Sequence, residues 1–304
     1  MIATLLGFSS KRLATKPRTY PKSNNGSKRF KSYFNQEPKP THFLCLPLGH
    51  HPDLQEKVTR FYSLLLRDKV EGIDPTILIN PRRLHFTLGV MSLSSQDPDG
   101  DSAGSSSTTS RTVEDALELL RSLQPQLTSL CTTGKSGNLQ ISLERIGAFE
   151  WNKGARVLWA GPRGNEGWSE SEEEREERLK LIRVAEMVHR TFIGAGFSEK
   201  RPLKLRCSII ATSRRKPTSK IYQLFSFTDV LASLQTTAEG SVKASNRIAP
   251  VSFGTYNIPE IQLCAIGSHG PEDEYVSLGS ISSGLLQLEQ KESILTNIRN
   301  LCTS

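Results

Sequence analysis

The sequence predicts an α+β protein made of two similar halves. Segments that alternate apolar and polar residues are interspersed with segments whose apolar residues recur at helical spacing. Two of the alternating segments, LHFTL (Leu84–Leu88) and LRCSI (Leu205–Ile209), share an apolar–basic–x–hydroxyl–apolar pattern, one in each half. The length, 304 residues, suits two lobes at about 150 residues each. Strands and helices that segregate in this way belong to the α+β class.

Residues 1–40 are rich in Ser, Asn, Lys and Arg with few clustered apolar residues, the composition of a disordered arm. From His42 the texture changes. THFLCLPL reads as a strand ending near Gly49, and PDLQEKVTRFYSLLL as a helix with Leu54, Val58, Phe61 and Leu65 on one stripe. RRLHFTLGVM alternates, with Leu84, Phe86, Leu88 and Val90 on one face and His85, Thr87 and Gly89 on the other. Ser, Asp, Gly and Thr dominate 92–112, which reads as a disordered insertion. Val113–Leu123 is helical by pattern with Thr112 as N-cap, and Pro125 disturbs its end. Short strands are expected at Leu139–Leu143 and Arg156–Gly161. In SESEEEREERLKLIRVAEMVHRTF the acids crowd the first turns, where the helix dipole favours them. Leu181, Val184, Val188 and Phe192 form its buried stripe, and Gly194 and Gly196 stop it. LKLRCSIIA is a second central strand, and a short helix starts near Thr228 and Asp229. Strands at Glu260–Ala265 and Tyr275–Gly279 flank the turn-rich GSHGPED, and 284–304 is a tail or a short amphipathic helix.

The net charge of +8 is unevenly placed. Residues 1–40 hold nine Lys/Arg against Glu37 alone, which leaves 30 cationic and 30 acidic residues for the rest. A basic arm on a neutral body points to an anionic partner such as nucleic acid, or to a targeting or solubilising role. The clusters Lys11-Arg12 and Lys28-Arg29 with Lys31 suit nuclear import, while the acid-poor opening MIATLLGFSSKRLATKPR resembles a mitochondrial presequence. Nuclear localisation is the expectation, with cytoplasm and mitochondrion as alternatives. No apolar run approaches the ~18–20 residues of a membrane-spanning helix, so a soluble protein without a membrane partner is expected. The cysteines Cys45, Cys131, Cys207, Cys264 and Cys302 form no C-x-x-C pair, which argues against a zinc site and a disulfide framework and for a reducing compartment.

Period two places His85 beside Thr87 on one face of its strand, and Arg206 beside Ser208 on the other. If the halves pack about a pseudo-twofold axis, the four side chains meet in one cleft.

At these residues the chain resembles the 2H phosphoesterase superfamily, whose mark is one His-x-Thr/Ser motif per lobe. Within it the sequence is similar to the A-kinase anchoring protein 7-like phosphoesterase, or 2′-5′ RNA ligase-like, domain. That domain is also carried by activating signal cointegrator 1 complex subunit 1. THFLCLPLGH, INPRRLHFTLGVMSL, ARVLWAGP, PLKLRCSIIATS and FGTYNIPEIQLCAIGS carry the resemblance through most of 41–281, within a domain drawn at 41–283. Gly134-Lys-Ser-Gly137 mimics a KH-domain loop but leads into a strand, and is read as a turn.

The resemblance implies a bilobal, LigT-like fold in which two antiparallel sheets line a central groove, with helices outside. It also implies metal-independent cleavage of a 2′,3′-cyclic phosphate or a 2′-linked phosphodiester, with no cofactor. One imidazole acts as base and the other as acid, while the hydroxyls bind phosphate oxygens. Carried onto this chain, His85 and Thr87 are catalytic, and Thr87, Arg206 and Ser208 bind phosphate. The second motif departs from the family, because Arg206 stands where a histidine is expected. Arginine does not release its proton near neutral pH but binds phosphate through a planar fork.

The expectation is therefore a degenerate 2H phosphoesterase that binds RNA or nucleotide phosphate in a cointegrator-type transcription or repair assembly. The alternatives are an active phosphodiesterase and an interaction scaffold. His269, after a core strand, is a candidate replacement acid. His189 reads as a packed or surface residue, and His42, His50 and His51 flank the first strand without partners at metal-ligand spacing. Phe43, Phe86, Trp151, Trp159 and Tyr256 are the aromatics that base stacking would draw on, with Phe86 and Trp159 assigned to the core. Ile294, Ile298 and Leu301 have the spacing of a kinase-anchoring helix, a pattern too common to carry a role.

Overall fold

The computed structural model describes residues 39–94, 111–132, 137–151, 154–164, 170–220, 222–235 and 248–283, all within the unit Pro38–Ser304. The expected basic arm up to residue 38, the insertion between 95 and 110, positions 133–136 and the tail from 284 lie outside the described residues.

Two four-stranded antiparallel sheets form the architecture. The first has the order β2 (His85–Met91), β1 (His42–Pro47), β7 (Glu260–Ala265) and β8 (Ser277–Ser282). The second has β5 (Cys207–Ala211), β4 (Gly154–Gly161), β3 (Leu139–Trp151) and β6 (Ile248–Ile258). Helices α1 (Pro52–Arg67), α2 (Val113–Ser122), α3 (Gln124–Thr132), α4 (Glu172–Gly194) and α5 (Phe227–Gln235) lie outside the sheets. The uncovered faces line a central groove.

The helices form where their ends are chemically closed. Thr112 and Asp115 make a reciprocal capping box at α2, as Ser171 and Glu174 do at α4. Glu172, Glu173 and Glu174 occupy the first turn of α4, and its stripe of Leu181, Val184, Val188 and Phe192 is buried. Gly196 ends that run at φ +74°, a left-handed conformation that favours glycine. Pro52 opens α1, whose Leu54, Val58, Phe61 and Leu65 enter the core with Leu44, Leu46, Phe86 and Leu88.

Several elements differ from the sequence reading, among them the last strand, which runs Ser277–Ser282 rather than Tyr275–Gly279. Pro125 does not merely end α2: a proline is tolerated in a first turn, and Gln124-Pro125 starts α3. Strand β3 continues past Leu143 to Trp151 and forms a long hairpin with β4. Strand β6 was not expected, because Pro250, Gly254 and Pro259 punctuate it. It lies at a sheet edge, where proline is tolerated, and Gly254 adopts φ +108°. In β2 the alternation breaks. Leu44 pairs with Gly89 and Cys45 with Thr87, so Leu88 sits at a bulge. Beyond it Val90 pairs with Phe43 and joins the small cluster of Phe43, Cys45 and Cys264, while Met91 turns into the core. Val90 thus lies on the opposite face from the one the alternation assigned. Gly89 approaches Ser198 so closely that a Cβ would meet its hydroxyl at 2.7 Å.

The two sheets join at a seam beside β2 and β5, each the edge strand of its own sheet. The Ile79 amide donates to Ile209 O at 3.0 Å, and Leu78 bridges Ile210. From α1 the Tyr62 hydroxyl reaches Ile79 O at 2.9 Å and Ile209 O at 2.6 Å, sharing one hydrogen between the two carbonyls.

Candidate functional site

Register decides which side chains face the groove. On the first sheet the core face carries Leu44, Leu46, Phe86, Leu88, Ile261 and Leu263. His85 and Thr87 therefore fall on the opposite face, with their cross-strand partners Pro47 and Cys45. On the second sheet Ile146, Leu158, Ala160, Cys207 and Ile210 belong to the core. The opposite face carries Arg145, Gly147, Phe149, Trp159 and Ser208, with Trp159 paired directly to Ser208. The strand β5 is shorter than the pattern predicted, so Arg206 precedes its first residue. Its guanidinium still reaches that face, 4.4 Å from the Trp159 ring centre and 4.6 Å from that of Phe149.

His85 is half-buried, and its Nδ1 lies 2.8 Å from Arg83 O. A carbonyl oxygen only accepts, so Nδ1 carries the hydrogen and Nε2 keeps the lone pair. Desolvation holds its pKa below the ordinary histidine value; the hydrogen bond to Arg83 opposes that shift and the Arg83 charge reinforces it. The ring rests against Phe43 at 5.0 Å and edge-on to Tyr275 at 5.2 Å.

Arg83 fixes this wall. It stacks 3.7 Å from the Tyr275 ring centre and donates to Asp273 O at 2.9 Å. The loop after β7 is thereby tied to the turn before β2. His85 opens into a cavity of about 360 Å³ lined also by His50, Arg82, Glu260, Glu272 and Tyr275. That volume is in the range of small-ligand sites.

Thr87 opens into a separate, smaller cavity with Gly89, His189, Ser198, Arg201 and Lys204, and Arg206 into one with Arg145, Arg163, Arg178, Leu203 and Lys204. The segment preceding β5 is common to the last two. At the seam the His85 backbone donates to the Cys207 thiol, whose pKa burial pushes up to about 12, but the His85, Thr87 and Arg206 side chains line three separate cavities and Ser208 lines none of these.

Arg206 stacks on two aromatic faces, and its cavity is lined by the cations Arg145, Arg163, Arg178 and Lys204 and by the carboxylate Glu186. Among the described residues Arg206 makes no ion pair. Desolvation, then the neighbouring Arg145 charge, draws its pKa below the ordinary arginine value. Trp159 is 2% exposed and its indole N–H has no partner among the described residues. The indole lies over glycine: a Cβ on Gly147 would fall 2.3 Å from its Cζ2. Trp159 is buried as expected of a core residue, but it lies beneath the guanidinium groups of Arg145 and Arg206 and outside the main apolar cluster.

The chain matches the family described as the AKAP7 2′5′ RNA ligase-like domain over residues 40–282. It belongs to that family. None of the curated proteins matches it. Among solved structures, E. coli LigT complexed with 3′-AMP is similar at 16% identity, covering 80% of this chain and 97% of that one, with a TM-score of 0.39. E. coli LigT in apo form gives 15% identity, 80% and 96% coverage and a TM-score of 0.42. The protein TT0787 of Thermus thermophilus gives 15% identity, 81% and 99% coverage and a TM-score of 0.39.

In this 2′5′ RNA ligase-like domain His50 lines the His85 cavity, and the remaining histidines have structural partners. His269 sits in the turn after β7 with Nδ1 against Asp273 Oδ1, outside the lining of the His85 cavity. His189 places Nδ1 2.6 Å from Leu88 O and Nε2 2.8 Å from Arg201 O, joining α4 to β2 and to the segment before Arg206. His51 Nε2 lies 2.8 Å from Asn257 O, and its ring packs on His50 and Tyr256; the Thr41 hydroxyl meets His42 Nδ1 at 2.8 Å. Tyr256 donates to Asp53 at 3.0 Å, a structural placement.

The sequence reading missed Arg83 and Tyr275, which shape the His85 wall, and Arg145 and Phe149 beside Arg206. The spacing Arg145, Gly147, Phe149, Trp151 is a period-two signal that could have revealed the last pair. No helix among the described residues is long and apolar enough to cross a membrane.

Proposed function

We propose that this domain holds a nucleotide or RNA-end phosphate between its two motifs and turns it over poorly, acting as a binding subunit of a cointegrator-type transcription or repair assembly in the nucleus. The carrying observation is Arg206: a cation clamped between Phe149 and Trp159 on the groove face, where the family places an imidazole. The family's own description, a 2′5′ RNA ligase-like domain, agrees with a phosphate on an RNA end or nucleotide.

In this reading Arg206 grips two phosphate oxygens through its fork, and the Thr87 and Ser208 hydroxyls donate to the others. Nε2 of His85 is available to take a proton from an attacking water or hydroxyl. Cleavage also needs a proton for the leaving oxygen, and Arg206 does not release one. Loss of one such partner typically slows a reaction by about 10²–10⁴. The base-ready tautomer of His85 favours the second reading, an active phosphodiesterase on 2′,3′-cyclic phosphates or 2′-5′ linkages that draws its acid from elsewhere.

Turnover of adenosine 2′,3′-cyclic phosphate and of a 2′-5′ diadenylate, with AMP affinity, separates the readings. The wild type should bind AMP and turn over slowly. Arg206→His should raise turnover by about tenfold or more, toward the range above, while weakening AMP binding. His85→Ala should abolish turnover in both backgrounds. Brisk wild-type turnover that depends on His85 would establish the active reading. Failure of the wild type to bind AMP or to turn over either substrate would leave the scaffold reading.

A further inference from the structure

The groove face of the β3–β4 hairpin continues beyond the two motifs as an alternation of guanidinium groups and aromatic rings. On β3 the residues of that face are Arg145, Gly147, Phe149 and Trp151. Arg145 lies 5.5 Å from the Trp159 ring centre, and Arg206 lies between Trp159 and Phe149. Further out, Arg156 stands 4.5 Å over Trp151. Arg156 is the extra residue of a bulge: Phe149 pairs with Val157 and Glu150 with Ala155. That bulge is what turns the Arg156 side chain toward Trp151.

Exposure rises along the strip, from Trp159 at 2% to Phe149 at 39% and Trp151 at 56%. These outer rings carry no packing duty in the core. Neither Arg156 nor Arg206 makes an ion pair among the described residues, and each guanidinium lies over a ring face. The Arg156 Nε and Trp159 indole N–H are buried donors without an acceptor among the described residues. From Arg145 to Trp151 the strand spans about 20 Å at ~3.3 Å per residue. That is long enough for several nucleotides, not one.

We infer that this strip is a track for single-stranded RNA leading out of the groove, with phosphates on Arg156 and Arg206 and bases on the exposed faces of Phe149 and Trp151. Charge selects the occupant. A polyanion that also offers flat rings matches an alternation of cations and aromatics, and stacking on an aromatic side chain tolerates any base. A duplex buries its base faces and fits the strip less well. The inference rests on the phosphate reading above only for the inner end of the track, and the outer end can be tested apart from it.

The test measures affinity of the full chain for a fluorescently labelled octauridylate, for AMP and for an RNA duplex of equal length. Trp151→Ala and Arg156→Ala should each weaken octauridylate binding by about tenfold and leave AMP binding unchanged, because both residues lie off the phosphate cradle. Trp151→Phe should restore most of the loss. The wild type should prefer the single strand to the duplex. If Trp151→Ala and Arg156→Ala bind octauridylate as the wild type does, or if the duplex binds as tightly as the single strand, the track is refuted. Those outcomes leave the cradle reading untouched. Wild-type chain that does not bind AMP, together with a tenfold loss in Trp151→Ala, would instead refute the cradle and keep the track. The thermal transition of each variant serves as the folding control.

Discussion

His85 and Arg206 differ in what each can do with a proton, and their surroundings sharpen the difference. His85 sits where desolvation disfavours its charge, and its one hydrogen-bond partner, Arg83 O, selects the tautomer with a lone pair on Nε2. Its protonation midpoint, read from ring proton shifts and assigned by loss in His85→Ala, should fall below 6.5. A midpoint at or above that ordinary value would contradict the burial argument. The same shift ties the fold to pH. The folded chain binds a proton at His85 less readily than the unfolded chain, so this contribution to stability is full above the unfolded value near 6.5. It is lost progressively as pH falls from there toward the folded value. Arg206 stays charged throughout, since its pKa is lowered from a very high starting point. Period two places His85 and Thr87 on one face of β2, as the register has them, whereas Arg206 precedes β5 and lies outside the alternation that singled it out. The ring clamp about Arg206 was not legible, because Phe149 and Trp159 lie on the β3–β4 hairpin, far from Arg206 in sequence, and only the pairing of β4 with β5 brings them to it.

The hairpin of β3 and β4 is the element on which the second half of the site depends. Its Gly147 leaves the space in which the Trp159 indole lies flat. Gly147→Ala would drive a Cβ into that ring. Such overpacking typically costs about 1–3 kcal/mol, to be read as a lower urea midpoint. Because Arg206 stacks on the displaced ring, AMP affinity should fall as well. Unchanged affinity in a destabilised Gly147→Ala would show that the indole does not position Arg206. The helices were more legible than the strands. Thr112 announces α2, the acids crowded into its first turn announce α4, and the stripe of α1 repeats without interruption. Bulges defeated the strand reading: the one at Leu88 moved Val90 to the other face, and a second irregularity lies between Leu143 and Arg145. A bulge adds a residue without a compositional mark, so period two miscounts from that point onward.

At the scale of the whole molecule, charge is divided between a neutral body and a basic first 40 residues. Deleting residues 1–40 should weaken octauridylate binding and flatten its dependence on salt, since each neutralised phosphate contributes to the slope of affinity against salt. An unchanged slope would assign those residues to targeting or solubility. The two-lobed arrangement was readable from the repeated motif, because both copies lie on strands that meet at the seam. Nothing in composition foretold how that seam is closed. Tyr62 closes it with one hydrogen given to carbonyls on either side, Ile79 O and Ile209 O. To spread the lobes at that point, the chain must strip a buried phenol from two acceptors, at about 1–3 kcal/mol for each polar group left unpaired. Any motion that parts the Ile79 and Ile209 segments must therefore break the Tyr62 hydrogen bonds, which makes this one phenol a latch between them.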